Sequence, residues 1–321
     1  MQILQSANAS KEQKAKAALV LPELAQELNS SLSVARSISL DKPMILYLES
    51  LASRVSLLLN DEQPPLGAQF RRFFSHTWPQ AMRALGWDVL LSALIFFGGM
   101  AVAMILFSND QEWFYAFLGG DSRNPESSTE YLAETLYDDP EAVFSRELQE
   151  EGTGSYLLDL TVFSAYLFQN NFYVSMLALA GGLLFASITL WVLFFNGLAL
   201  GAFVSLFYSR DLGVDVVGWL SIHGVTEIGA IIISGAGGLL IGRTMLFARG
   251  QSMAHALRAI GPRIAAVVLT MLIMLAVAAV VEGYLRQIIN SMELRYMIGW
   301  GLGAAWLGYF IFAGREPKAH G

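Results

Sequence analysis

VVGWLSIHGVTEIGAIIISGAGGLLIGRTMLF, residues 216–247, is the most informative stretch of this chain. It is long and apolar enough to cross a bilayer as a helix, which takes roughly 20 predominantly apolar residues. It also contains His223 and Glu227, four positions apart and therefore one turn apart on the same face of a helix. Ionisable groups at membrane depth are costly and usually face a bundle interior or a wet cavity. The stretch therefore predicts a membrane helix with a polar inner face.

The composition extends this prediction to the whole chain. Of 321 residues, 55% are hydrophobic and 15% are charged, and the mean hydropathy is +0.49. Soluble domains typically contain about 25% charged residues, so we predict an all-α polytopic membrane protein. The chain has no cysteine, which excludes disulfides, thiolate catalysis and cysteine-ligated metal sites. No feature of its charge pattern suggests nucleic-acid binding.

The apolar runs predict about six transmembrane segments. Asn196-Gly197 interrupts one of these runs, so the residues after it form a short third segment that either crosses or re-enters the membrane. The six predicted segments cover residues 86–107, 172–195, 198–208, 216–247, 262–281 and 294–313. Residues 172–314 then form the main transmembrane bundle, and residues 315–321 form a tail.

Residues 1–85 are predicted to form a soluble helical hairpin followed by an amphipathic helix. Leucines at helical spacing predict one helix over about residues 10–39, and Asp41 is a good N-cap for a second. Residues 66–85 mix aromatic and arginine side chains, a pattern that suits a helix lying in the headgroup region. The alternative for this last segment is an ordinary packed helix.

Residues 108–171 form an acidic region with thirteen acidic residues and two arginines. We expect helical pieces near residues 127–139 and 141–151. Residues 156–168 are too short to span a bilayer alone, so a surface-lying or re-entrant segment is expected there. The low content of basic residues predicts that the acidic region lies outside the cytoplasm.

The basic residues predict the topology through the positive-inside rule. If all basic groups are cytoplasmic, an even number of membrane crossings must separate them, which requires the short third segment to cross. Both termini of this multi-pass protein then lie in the cytoplasm. The basic groups are Arg71, Arg72 and Arg83; then Arg243, Arg249, Arg258 and Arg263; and finally Arg315 and Lys318.

The polar residues near the membrane segments allow three interpretations. The favoured one is a structural network in which histidine, carboxylates and asparagine amides bond one another. The others are a transport or proton-relay site and a metal site. Since His223 and Glu227 alone are too few ligands for zinc, neither a metal nor a cofactor is predicted. The residues of the predicted network are His223, Glu227, Asn170, Asn171, Asn196 and Glu282.

Pairs of glycines four residues apart predict close helix contacts. The favoured interpretation is packing within one bundle, with contacts between subunits of a homo-oligomer as the alternative. The pairs are Gly197 and Gly201, Gly238 and Gly242, and Gly299 and Gly303.

Signatures of common enzymes are missing. The sequence contains no phosphate-cradling Gly-x-x-x-x-Gly-Lys, no His-Glu-x-x-His and no Gly-x-Ser-x-Gly. Serine-based intramembrane proteolysis would need a histidine or lysine paired with Ser221 or Ser234, and the sequence does not indicate one. No catalytic residue is predicted.

Taken in chain order, several motifs resemble the stage II sporulation protein M family. The main one is His223-Gly224-Val225-Thr226-Glu227, followed by Gly235-Ala236-Gly237-Gly238. In this family a glycine often precedes the histidine motif, whereas Ile222 stands there in this chain. The resemblance covers about residues 70–315. The other matching motifs are Gln169-Asn170-Asn171 before Ala180-Gly181-Gly182, then Phe195-Asn196-Gly197 and Val281-Glu282-Gly283.

The resemblance implies an integral membrane protein without established catalysis. The sporulation member of the family works in a membrane complex with peptidoglycan-degrading partners during engulfment. The long N-terminal hairpin is similar to larger, non-sporulation members. The six polar residues named above match polar positions of the family. The resemblance assigns no specific role to any of them.

We therefore predict a non-enzymatic scaffold or assembly protein in cell-envelope remodelling. Its expected partners are the lipid bilayer and other envelope membrane proteins. The alternative is a transporter or channel that uses His223 and Glu227.

Overall fold

The computed structural model describes residues 11–37, 41–59, 65–137, 156–248, 252–282, 289 and 291–315. Every regular element among them is helical, which confirms the predicted all-α class. The elements are α1 (Lys11–Ser37), α2 (Lys42–Leu59), α3 (Leu66–Arg72), α4 (Trp78–Arg83), α5 (Gly86–Asn109), α6 (Trp113–Leu118), α7 (Thr129–Tyr137), α8 (Tyr156–Ala180), α9 (Ser187–Tyr208), α10 (Gly213–Leu246), α11 (Met253–Val280) and α12 (Met292–Phe312).

The chain up to Arg71 forms its own compact unit, in which α1 packs against α2. Leu32, Ala35 and Val55 are buried, as expected when two helices face each other with their apolar stripes. Arg36 donates a hydrogen bond to Glu49 at 2.7 Å across the exposed side.

The second unit, from Arg72 onward, is a helical bundle. Four of its helices are long and apolar enough to cross a membrane by length and composition: α5, α9, α10 and α11. Helices α8 and α12 pack beside them, both against α10. The helical membrane bundle predicted from the sequence is therefore confirmed at this level.

Contacts between glycines and neighbouring helices give the helix directions. Helix α9 runs parallel to α5, because Gly197 lies against Phe96 and Gly201 lies against Ala103. Helix α10 runs antiparallel to α9, because Gly238 contacts Thr189 whereas Gly235, earlier in α10, contacts Leu193, later in α9.

The other three helices are oriented by their contacts with α10. Helix α11 is antiparallel to it and α12 is parallel, while α8 is also parallel to α10. Thus α5, α9 and α11 run one way, and α8, α10 and α12 run the other. The contacts are Gly237 with Val267 and Gly229 with Met274 for α11; Gly299 with Ser221 and Gly303 with Val225 for α12; and Gly238 with Ala178 and Glu227 with Asn171 for α8.

The predicted helix break at Asn196-Gly197 is wrong. Helix α9 runs without interruption through these residues, and the Asn196 amide donates a hydrogen bond to the Val192 carbonyl at 2.7 Å. Asn196 and Gly197 therefore mark no turn. Instead, Gly197 allows a close contact between α9 and α5. Consequently there is no short third segment over residues 198–208, and the predicted second span, residues 172–195, is divided between two helices.

The actual turn lies earlier, between α8 and α9. A short 3₁₀ turn, Gly181–Leu184, is followed by Phe185 and Ala186 with φ of 54° and 64°. Such left-handed conformations are uncommon for residues other than glycine. The Thr189 hydroxyl donates to the Ala178 carbonyl at 2.8 Å and joins the two sides of the turn. Residues 156–168 are correspondingly the first part of α8 rather than a separate segment.

Residues 73–85 are packed into the bundle. After a π turn, Phe73–Thr77, the side chains of Trp78 and Met82 are buried, and the Trp78 indole donates to the Thr270 hydroxyl at 2.7 Å. Arg83 donates to the carbonyls of Phe310 and Ala313 at 2.8 and 2.6 Å. This segment therefore joins α11 and α12, while its location in the headgroup region stays a prediction.

The first described part of the acidic region, residues 110–137, folds onto one end of the bundle, and we call it the acidic cap. Phe114, Leu132 and Leu136 are buried in a cluster with Phe207 of α9 and Val216 of α10. The predicted helix near residues 127–139 corresponds to α7, and the one near 141–151 lies outside the described residues. An apolar underside thus anchors a cap whose outer side chains are acidic.

Candidate functional site

Three ionisable side chains meet at the junction of α10 and α11. His223 and Glu227 come from α10, and Glu282 follows directly after α11. One ligand-capable atom of each lies within 4.8 Å of the others. His223 and Glu282 are 5% and 4% exposed, whereas Glu227 is half-buried. We call this set the polar cluster.

The antiparallel packing of α10 and α11 brings Glu282 to the cluster. His223 Nε2 and Glu282 Oε1 are 3.6 Å apart, beyond the usual range of an N–H···O hydrogen bond. The Trp219 ring lies edge-on to the imidazole, with centroids 5.8 Å apart and planes at 82°. The imidazole is therefore enclosed by a carboxylate on one helix and an indole on its own.

A fourth residue joins from α8. The Asn171 side chain hydrogen-bonds the carboxyl group of Glu227, so that α8 is tied to α10 at this level. Of the other asparagines in the predicted network, Asn170 is exposed, and Asn196 bonds a carbonyl of its own helix. The structure thus brings together His223, Glu227, Glu282 and Asn171.

Trp219 was not among the residues proposed from the sequence. It lies four positions before His223, a spacing that places both side chains on one face of α10. That spacing could have indicated the contact, but tryptophan near the end of a membrane helix is more commonly an interfacial residue.

The opposite face of α10 is apolar. Gly224, Val225 and Ile228 line a groove of about 300 Å³ together with Phe97 of α5 and Trp300 of α12. Helix α10 therefore separates an apolar groove from the polar cluster.

An ion pair at the other end of α10 also escaped prediction. Arg243 donates to both carboxylate oxygens of Asp88 at 2.9 Å, and this joins the last turn of α10 to the first turn of α5. The Asp88 side chain is 10% exposed and that of Arg243 is 52% exposed. From the sequence alone, Arg243 indicates only the topology.

The glycines singled out from the sequence lie at contacts between helices of this chain. A Cβ atom at any of them would meet atoms of a neighbouring helix or of the turn before α9. The neighbours are Phe96 for Gly197, Met100 for Gly201, Thr189 for Gly238, Ala186 for Gly242, Ser221 for Gly299 and Val225 for Gly303.

The arrangement supports three kinds of chemistry. An imidazole and two carboxylates can share a proton, form a hydrogen-bonded network through Asn171, or supply nitrogen and oxygen ligands to a metal ion. From the sequence alone, a metal site is not predicted, because His223 and Glu227 are too few ligands. Glu282 makes a third ligand, so the donor set fits a metal ion better than the sequence indicated.

Comparison with known proteins gives one match. The family model described as Stage II sporulation protein M matches residues 92–286, a range that begins within α5 and includes the whole polar cluster. No curated protein and no solved structure matches the chain.

Proposed function

This chain belongs to the stage II sporulation protein M family, and from that membership we propose that it is a non-enzymatic membrane scaffold that assembles other proteins of the bacterial cell envelope. The observation that carries the proposal is the acidic cap. A buried apolar underside fixes the cap on the bundle, while Glu112, Glu126, Glu130 and Glu134 are exposed. Such a preformed charged surface supports recognition of a partner with a complementary basic surface.

The interior of the cap supports a rigid rather than a loose surface. Arg123 forms two hydrogen bonds with Asp121, both at 3.0 Å, and its guanidinium lies 4.7 Å from the centre of the Phe203 ring on α9. Arg210 donates to the Pro125 carbonyl at 2.6 Å. Arg123 and Arg210 are therefore both used to hold the cap, which leaves its outer surface acidic.

We place the protein in the inner membrane with both termini in the cytoplasm. The six long helices of the bundle, α5 and α8 to α12, alternate in direction. If each crosses the membrane, Arg83, Arg243 and Arg315 lie on the same side. We call this side the basic end. The acidic cap would then lie outside, in accord with the positive-inside rule. In this arrangement α8 and α9 supply the two crossings that the sequence predicts for residues 172–195 and 198–208.

The scaffold proposal is tested by crosslinking in cells, purification and identification of the captured proteins by mass spectrometry. We expect envelope membrane proteins to be recovered with the natural chain. Reversing two cap charges with Glu130→Lys and Glu134→Lys should lower that recovery several-fold. Glu27→Lys, at an exposed acid of α1, is the matched control and should not lower it. Recovery of no envelope protein above background would contradict the proposal.

A further inference from the structure

We propose that His223, Glu227 and Glu282 bind one divalent transition-metal ion, such as Zn²⁺ or Mn²⁺, between α10 and the end of α11. This inference goes beyond the scaffold function, which needs no metal. It rests on the spacing, the chemistry and the surroundings of the three side chains.

The spacing of the donor atoms fits ligands of a single ion. Zinc binds nitrogen and oxygen at about 2.0–2.2 Å, so neighbouring ligand atoms in a tetrahedral site are about 3.4 Å apart. His223 Nε2 and Glu282 Oε1 are 3.6 Å apart, which is long for a hydrogen bond but close to that value. The ligand atoms of the whole set lie within 4.8 Å of one another.

The donor types favour a transition metal. Imidazole suits zinc and other first-row transition ions, whereas Mg²⁺ and Ca²⁺ prefer sites made of oxygen atoms alone. Two carboxylates also match the charge of a divalent ion, and metal coordination is one of the ways in which buried charges are accommodated in proteins.

The surroundings resemble the supporting contacts of metal sites. Asn171 hydrogen-bonds Glu227 and would fix the orientation of that ligand from a third helix, as outer-shell partners commonly do. Trp219 packs against the imidazole and limits its rotation. Three protein ligands leave a fourth position for water or substrate. Because Glu227 is only half-buried, an ion could reach the site past this side chain.

The test uses the full chain, purified in detergent with an affinity tag that contains no histidine. The protein is stripped with a chelator, exposed separately to Zn²⁺ and Mn²⁺, and freed of unbound ion. We expect elemental analysis to find about one ion per chain, and thermal unfolding to shift to a higher midpoint with the bound ion.

Variants separate the proposed site from adventitious binding. Glu282→Gln and His223→Gln should each lower metal affinity at least tenfold. Asn171→Ala leaves all three ligands in place and should weaken binding roughly 10–100-fold, as loss of an outer-shell partner does. His255→Gln, at an exposed histidine of α11, should bind like the natural chain.

Three results would overturn the proposal. The first is a natural chain that retains neither ion and shows no change of unfolding midpoint. The second is metal binding that survives in Glu282→Gln and His223→Gln but is lost in His255→Gln. The third is metal binding that is unchanged in Glu282→Gln, His223→Gln and His255→Gln alike, which would assign the ion to another part of the chain. Since Asn171→Ala removes only a hydrogen bond, it keeps the test decisive if the ligand variants do not fold.

Discussion

His223 and Glu282 join two helices through side chains that are both more than nine-tenths buried. In metal-free protein, we expect His223→Ala and Glu282→Ala each to lower the free energy of unfolding by roughly 3–5 kcal/mol, because removing one member of a buried pair strands the other. The measurement is unfolding of the detergent-solubilised protein in the presence of chelator.

The double variant is the control for this prediction. If the two residues act as a pair, His223→Ala with Glu282→Ala should be no less stable than the worse single variant. Costs that simply add in the double variant would contradict the pairing.

At the residue scale, the sequence predicts neighbours within one helix better than contacts between two helices. The spacing of His223 and Glu227 follows directly from helix periodicity. The position of Glu282 depends on how α11 packs against α10, which is determined by contacts such as Gly229 with Met274. The sequence predicts Asn196 in a network shared between helices, whereas its amide donates to a carbonyl within α9.

At the scale of a single element, α12 offers two glycines in different surroundings. A Cβ at Gly299 would meet the Ser221 backbone, which cannot move without displacing α10, whereas a Cβ at Gly301 would meet open space. We expect Gly299→Ala to destabilise the protein by about 1–3 kcal/mol through overpacking.

Gly301→Ala is the matched control on the same helix. It should be neutral, or stabilising by up to about 1 kcal/mol, because alanine favours helix more than glycine does. Both variants are measured by their unfolding midpoints in the same detergent. Equal midpoints for the two would show that α12 does not contact α10 as closely as described.

The turn between α8 and α9 shows why one helix boundary could not be predicted. Leu183, Leu184 and Phe185 are apolar, so they extend the hydrophobic pattern through a turn that contains two left-handed residues. Asn196-Gly197 has the composition of a turn but lies inside α9, where the glycine allows close contact with α5. In both places tertiary packing outweighs the local conformational preference of the residues.

At the scale of the whole molecule, the proposed orientation can be tested directly because the chain contains no cysteine. We expect Glu130→Cys, in the acidic cap, to react with a membrane-impermeant maleimide in intact spheroplasts. His255→Cys, near the start of α11, should react only after lysis, because the proposed orientation places the basic end in the cytoplasm.

The opposite pattern of labelling would reverse the orientation, and equal labelling of both sites before lysis would contradict the six-crossing arrangement. Both positions are exposed, so slow reaction through burial does not complicate the comparison.

The overall class was predictable from the sequence because hydropathy and helix length suffice for it. The regular alternation of six helices was not, because two boundaries were misplaced by the apolar turn before α9. The acidic cap was predicted as a charged region, but its anchoring through Phe114, Leu132 and Leu136 depends on tertiary contacts.

The backbone contact between α5 and α9 also has a consequence for biosynthesis. Gly99 of α5 lies against Phe194 of α9, yet residues 110–186 separate the two helices in the chain. At synthesis rates of 5–20 residues per second, α9 emerges roughly 4–15 s after α5. During that interval the surface of α5 around Gly99 lacks its native neighbour, so it faces lipid or the insertion machinery until α9 has been made.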